Sequence, residues 1–303
     1  MVKDISYTEV IGLVPDKDAG REFFEKARWN GVPDVCVYCA VINRIQVKAN
    51  GFYRCLDCKK VFTVRTNTVF ANSNLGLHKW LYAMYLFVTN RKGISSVTLA
   101  KLIGVTQKTA WHLLHRLRKA CADDITSLLN GIVEADETFI GGKERNRHKN
   151  KKLNAGKRGA VNKTIVFGLL ERGGKTSLSV IPDRKHDTLK DLITSKVKSL
   201  TFLFTDEHKS YQRIEGYPHA TVNHSANEYT SGSAHTNSIE SVWALLKRAY
   251  YGTYHHYTAK HAQLYANEVA YRLNTRELNL INNFANLIRL SVGKTMPYKK
   301  LIP

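Results

Sequence analysis

GIVEADETFIG, residues 131–141, is the stretch on which the fold turns. In an extended strand successive side chains leave opposite faces, so Glu134, Asp136 and Thr138 share one face and Ala135, Glu137 and Phe139 the other. Two apolar runs follow, TIVFGLLE (164–171) and TSLSVIP (176–182). A helical pattern, HDTLKDLITSKVK (186–198), leads into LTFLFTD (200–206), which ends in Asp206. A short strand is expected near 220–223. Beyond polar HSANEYTSGSAHT (224–236), helices are expected from about Ser238 and over about 259–276.

Three strands, a helix, a strand and further helices is the element order of an α/β ribonuclease-H-like core, expected over 131–280, with a tail at 281–303. Between its first two strands lies a basic loop, 143–163, with nine Lys or Arg against Glu144. Lys149, Lys151, Lys152, Lys157 and Arg158 in that loop are candidate DNA phosphate contacts.

Upstream the character changes. Residues 1–33 read as a helical lead-in that stops at Gly31 and Pro33. In 34–72, CVYC (36–39) and CLDC (55–58) are separated by fifteen residues. Two such knuckles present four thiolates to one ion, so Cys36, Cys39, Cys55 and Cys58 are expected to hold a structural zinc. Asn50-Gly51 between short β-runs predicts a hairpin turn. Lys59, Lys60 and Arg65 suit either phosphate contacts or a solvated basic face.

Residues 75–125 read as helices. In SSVTLAKLIGVTQKTAWHLLHRLRKA (95–120), Ser95 or Ser96 caps one helix, Gly104 ends it and Thr106 caps the next. The pair reads as a helix-turn-helix, with Gln107, Lys108, Thr109, His112, His115, Arg116 and Arg118 on the polar side of its second helix. Of these, Gln107, Lys108, Thr109, His112 and Arg116 are the candidate DNA contacts.

The chain of 303 residues carries 46 Lys plus Arg against 25 Asp plus Glu, a formal net charge of +21, which points to a polyanionic partner. The fifth cysteine, Cys121, reads as a small core residue, and the odd count argues against a secreted disulfide scaffold. The most apolar stretch, near Trp80–Val88, is too short to span a bilayer. The expected setting is cytoplasmic and nucleoid-associated, with no membrane partner.

HTNSIESVWALLKR (235–248) supplies a third acid, with Glu240 and Lys247 two turns apart on one helix face. Asn237 as N-cap with Glu240 three residues on also resembles a capping box, which would finish a helix end and do nothing more.

These residues resemble transposases of the IS1595 type, also called ISXO2-like transposases. The resemblance runs from the cysteine pairs to about Arg276. It is carried by FTVRTNTVF (62–70), HKWLYAMYLF (78–87), EADETFIGGK (134–143), TDEHKSY (205–211) and HTNSIESVWALLKRAYYGTYHH (235–256). It implies a zinc ribbon, a helical DNA-binding region and a DDE catalytic domain that cuts and joins DNA with Mg²⁺ or Mn²⁺. Asp136 and Asp206 would be the first two metal ligands and Lys247 the basic residue of the signature. Either Glu240 or Asn237 fills the third slot, and Glu240 is favoured because carboxylate binds Mg²⁺ better than amide oxygen. Asn67, where similar sequences often carry Gly, can keep a left-handed turn. The implied partners are double-stranded DNA, as element ends and target, and further copies of the chain. The alternatives are a domesticated DNA-binding regulator and a nuclease without strand transfer.

Overall fold

The computed structural model describes residues 5–122, 127–142, 163–206, 208–211, 214–221 and 237–302. Its two compact units are residues 1–124 with 275–303, and residues 125–274.

In the first unit, α1 (Tyr7–Leu13) begins at a Ser6/Glu9 capping box and α2 (Lys17–Trp29) at Asp16. The chain leaves α2 through Asn30 in the left-handed region, at φ 59°. Strands β1 (Ile45–Val47), β2 (Tyr53–Cys55) and β3 (Val61–Phe62) form an antiparallel sheet in that order. Asn50 (φ 58°, ψ 33°) and Gly51 (φ 71°) make the expected turn between β1 and β2. Helices α3 (Leu77–Thr89), α4 (Ser96–Ile103) and α5 (Gln107–Ala120) follow. Gly20 lets α2 cross close to α3, since a Cβ there would lie 2.3 Å from the His78 nitrogen.

Ser95 caps α4, Gly104 closes it at φ 62°, and Thr106 caps α5 through the Thr109 amide at 3.2 Å. Cys121 is buried at the end of α5. The expected tail at 281–303 is not one. It carries α9 (Leu280–Leu290), whose Phe284, Leu287 and Ile288 are buried. Val292 then bridges to Thr68, and the Gly293 amide donates to the Asn67 carbonyl at 2.8 Å. The apolar spacing of LINNFANLIRL already indicates a packed helix, and its partners come from the distant start of the chain.

FTVRTNTVF is shaped by arginines that bond carbonyl groups. Arg28 donates to the Val64 and Thr66 carbonyls, Arg65 to those of Ser73 and Leu75, and Arg116 to that of Ala71. Asn67 keeps its turn at φ 55°.

In the second unit, β4 (Ile132–Ile140), β5 (Thr164–Glu171) and β6 (Thr176–Ile181) pair antiparallel, while β7 (Phe202–Thr205) and β8 (His219–Thr221) run parallel to β4. The sheet order is β6-β5-β4-β7-β8. Three antiparallel strands followed by two parallel ones is the arrangement expected of a ribonuclease-H-like core. Helix α6 (His186–Lys196) packs Leu189 and Ile193 on one face with Val133, Ala135, Phe167 and Leu203. Helices α7 (Asn237–Ala249) and α8 (Ala259–Asn274) cover the other, with Ile239, Trp243, Leu246, Ala266 and Val269 against Val166 and Leu178. Alternate residues of β4 thus enter two cores, which is why its pattern reads so clearly. Edge strand β6 is closed by amide side chains of α8. Gln263 bonds Val180 N–H and the Leu178 carbonyl, and Asn274 bonds both backbone groups of Thr176. No described helix is long and apolar enough to cross a membrane.

Candidate functional site

The two aspartates come together through strand register. Glu134 pairs with Phe204 across the parallel β4–β7 ladder, so two residues further on Asp136 stands beside Asp206 at the end of β7. Each side chain is held by hydrogen bonds. Asp136 Oδ1 accepts from the Glu137 amide at 2.7 Å and Oδ2 from the Trp243 indole N–H at 2.7 Å. Asp206 Oδ1 accepts from the His208 amide at 3.0 Å.

Four acids gather around this strand end, in two electrostatic classes. Glu134 is ion-paired with Arg172 and Glu137 with Arg184, each at 2.8 Å, and Glu137 also accepts from the buried Tyr211 hydroxyl. Asp136 and Asp206 have no ion pair among the described residues. Burial pushes the Asp136 carboxyl up to about 6, and the Glu137 and Asp206 charges add to the rise. The indole and Glu137 hydrogen bonds oppose it. Burial, then the Glu137 charge, raises Asp206 as well, against the His208 amide and the His208 and Arg184 charges. Two half-buried carboxylates that stand side by side with no ion pair among the described residues are suited to a positive ion.

Helix α7 is docked on this site by residues that the sequence reading missed. Glu134 Oε2 accepts from the Ile239 amide at 3.0 Å, so a strand carboxylate satisfies the first turn of α7. Gly168 lies opposite Asp136 in the β4–β5 ladder, and a Cβ there would meet the Trp243 ring at 2.5 Å and 2.8 Å. The absent side chain is the space the indole occupies while it reaches Asp136. A glycine inside the apolar run VFGLL was the available signal, since glycine within a strand often marks a close approach.

Glu240 and Lys247 are exposed on α7, as is Asn237. Asn237 is the first helical residue, and among the described residues no hydrogen bond joins it to Glu240. Glu240 stands one turn before Trp243, on the edge of α7 that faces solvent.

The four cysteines converge in the first unit. Their Sγ atoms all lie within 4.8 Å of one another, with Cys36···Cys58 at 3.8 Å and Cys39···Cys55 at 3.6 Å. Sulfurs bound tetrahedrally to zinc at about 2.3 Å stand about 3.8 Å apart, whereas a disulfide needs about 2.05 Å. Each knuckle turns through a positive-φ residue, Ala40 (58°) and Lys59 (60°). The cluster can therefore hold a metal ion.

The α4–α5 pair is sorted by burial. Gln107, Lys108 and Thr109 are exposed on the first turn of α5. Gln107 donates to Ser96 Oγ at 2.8 Å, and the Lys108 ammonium lies 4.8 Å from the Tyr298 ring centre. His112 and Arg116 correct the expected polar side: His112 Nε2 bonds the Met296 carbonyl at 2.9 Å and Arg116 is buried on the Ala71 carbonyl. His115 and Arg118 are buried too. Hydrophilic type misled because guanidinium and imidazole groups can be spent on backbone carbonyls. Arg65, bonded to Ser73 and Leu75, misled for the same reason. Lys149, Lys151, Lys152, Lys157 and Arg158 of the basic loop lie outside the described residues.

Residues 128–274 match the family model of the ISXO2-like transposase domain. The chain is 29% identical over 239 residues to an uncharacterized protein in transposable element ISH50 of Halobacterium salinarum, covering 73% of this chain and 79% of that protein. An uncharacterized transposase-like protein of Haemophilus influenzae is 28% identical over 101 residues, 33% of this chain and 80% of its own. Among solved structures, the Mos1 transposase paired-end complex with left transposon end aligns at 12% identity and a TM-score of 0.20, covering 72% of this chain and 80% of that one. The unit that carries Asp136, Asp206 and α7 is thus the part of the chain that is similar to the ISXO2-like transposase domain.

Proposed function

We propose that this protein is a DDE-type DNA transposase that binds the terminal inverted repeats of its element, cleaves there and joins the exposed 3′ ends to target DNA. The observation that carries the reading is the division among four clustered acids, two buried and two half-buried. Glu134 and Glu137 have arginine partners, and Asp136 and Asp206 are left side by side without one among the described residues. On this reading the two aspartates hold Mg²⁺ or Mn²⁺, with Glu240 as the third acid and Asn237 as its alternative. The ions supply activation of the attacking water or 3′-hydroxyl and stabilisation of the leaving oxygen. Trp243 and the Glu137 amide orient Asp136, the His208 amide orients Asp206, and Lys247 receives a DNA phosphate.

Zinc in the four-cysteine cluster holds the ribbon together. Duplex DNA is gripped by the first turn of α5, through Gln107, Lys108 and Thr109, and by the basic loop at 143–163. Two ends must be paired before joining, so the active form contains more than one copy of the chain. It works in the cytoplasm, on nucleoid DNA.

The test is strand transfer by the full-length protein with Mg²⁺ or Mn²⁺ and DNA carrying the ends of its own element. Joined products are expected, and both Asp136→Asn and Asp206→Asn should abolish them. Hydrolysed ends without joined products would make the protein a nuclease, and binding without cleavage a regulator. Activity that survived both substitutions would sink the site assignment.

A further inference from the structure

Helix α7 continues into a π-helical turn, Tyr250–Tyr254, and three contacts fix its path along β4. The Ile239 amide meets Glu134, the Trp243 indole meets Asp136, and the Tyr251 hydroxyl lies 3.4 Å from the Gly141 carbonyl just past the end of β4. Helix and strand therefore run in the same direction. Glu240, Ala244, Lys247 and Tyr251 are all exposed, at spacings of four, three and four residues. They form one stripe, from beside the aspartates toward the C-terminal end of β4. Its members are an acid, a side chain too small to obstruct, a lysine and an aromatic ring.

Tyr251 is 53% exposed, yet it is held. Its ring packs edge-on against Tyr250 at 5.0 Å, and its carbonyl is bonded to His255 Nδ1 at 2.9 Å. His255 itself sits at φ 57°, ψ −39°, a strained conformation for a residue with a Cβ. Beneath, Tyr250 packs on Tyr257, Tyr257 stacks on Tyr265 at 4.1 Å, and the Tyr254 hydroxyl bonds Glu268. The other exposed aromatic described in this unit, Phe202, opens β7 at the end remote from Asp206.

We propose that Tyr251 is a stacking site for an unpaired DNA base on a strand that lies along α7 with a phosphate on Lys247. This rests on the transposase reading and adds a base-binding position to it. Eight residues separate Trp243 from Tyr251, about 12 Å at about 1.5 Å per helical residue. That is three or four nucleotides of a stacked strand at about 3.4 Å each. Bases inside a duplex already stack on their neighbours, so an aromatic ring at this distance selects a base that cleavage or fraying has freed. Stacking tolerates any base, because every base has a π-face.

The test uses the full-length protein and two DNAs. One is a 20-base-pair duplex with a four-nucleotide single-stranded 3′ extension containing 2-aminopurine. The other is its blunt counterpart with the analogue paired. The wild type and Tyr251→Phe should quench the extension's fluorescence. Tyr251→Ala and Tyr251→Leu should not, and should bind the extended DNA about five-fold or more less tightly while keeping blunt-duplex affinity. Equal binding and quenching by Tyr251→Leu and wild type would overturn the proposal, since leucine keeps bulk and loses the ring. That result alongside normal strand transfer removes the stacking site alone. A wild type that binds neither DNA removes the transposase reading with it.

Discussion

Gly168→Ala tests whether the packing between β5 and α7 sets the carboxylate site. The new Cβ would lie 2.5 Å from Trp243 Cη2, 2.8 Å from Cζ2 and 3.1 Å from Ile239 Cδ1. Carbon atoms in good contact stand about 3.5–4.0 Å apart, so the indole must retreat by about 1 Å. The hydrogen bond from Trp243 Nε1 to Asp136, now 2.7 Å, would then open beyond bonding range. Overpacking costs about 1–3 kcal/mol and a lost hydrogen bond to a charged group about 1.5–3 kcal/mol. The two partly substitute for one another, because the retreat that relieves the clash breaks the bond, so a loss of about 2–4 kcal/mol is expected.

Urea unfolding followed by circular dichroism reads this in every variant, including one that lacks Trp243. Gly142→Ala, with nothing among the described residues within 4 Å of the added carbon, is the control and should change stability by less than about 0.5 kcal/mol. Adding Trp243→Phe to Gly168→Ala should recover stability by making room, but leave Mn²⁺ affinity and strand cleavage low, because the donor to Asp136 is gone. Gly168→Ala protein as stable as the control, with wild-type Mn²⁺ affinity, would refute the reasoning.

Other outcomes follow from the same geometry. Asp136 is raised from an ordinary 3.8 to about 6 in the folded protein, so without added divalent metal the stability it confers is present below about pH 4 and lost as pH rises through about 6. Asp136→Asn should abolish that slope, as pH-dependent unfolding would reveal, and wild-type cleavage at limiting Mg²⁺ should fall as pH drops below about 6. Cys55→Ser should lower bound zinc below one ion per chain and expose residues 34–72 to protease; full zinc content in the variant would contradict a four-cysteine site. Thr106→Ala should cost about 1 kcal/mol through loss of the α5 cap. Arg116→Met should lower stability by leaving the Ala71 carbonyl without its partner, and a loss of DNA affinity at unchanged stability would show instead that Arg116 meets DNA. Neutralising Lys151, Lys152 and Lys157 together should flatten the salt dependence of DNA binding by about three phosphate contacts.

The sequence by itself determined the parts that depend on neighbours along the chain. The period-two pattern of GIVEADETFIG, the caps at Ser95 and Thr106, the left-handed Gly104 and the cysteine spacing are local signals, and each has its counterpart in the structure. Asp136 and Asp206 were legible as residues at the centre and end of apolar strands. Their adjacency was not, because it follows from a parallel register between segments some seventy residues apart. Tertiary structure alone decided which charged groups are free. Arg172 and Arg184 pair with Glu134 and Glu137 and leave the aspartates without an ion pair among the described residues, while Arg65 and Arg116 turn inward to backbone carbonyls. It also decided that Gly168 receives the Trp243 ring and that residues after Asn279 fold back as a packed helix. The physical reason is common to all of these: a side chain's type sets what it can bond, and only the long-range fold sets which partner comes within reach.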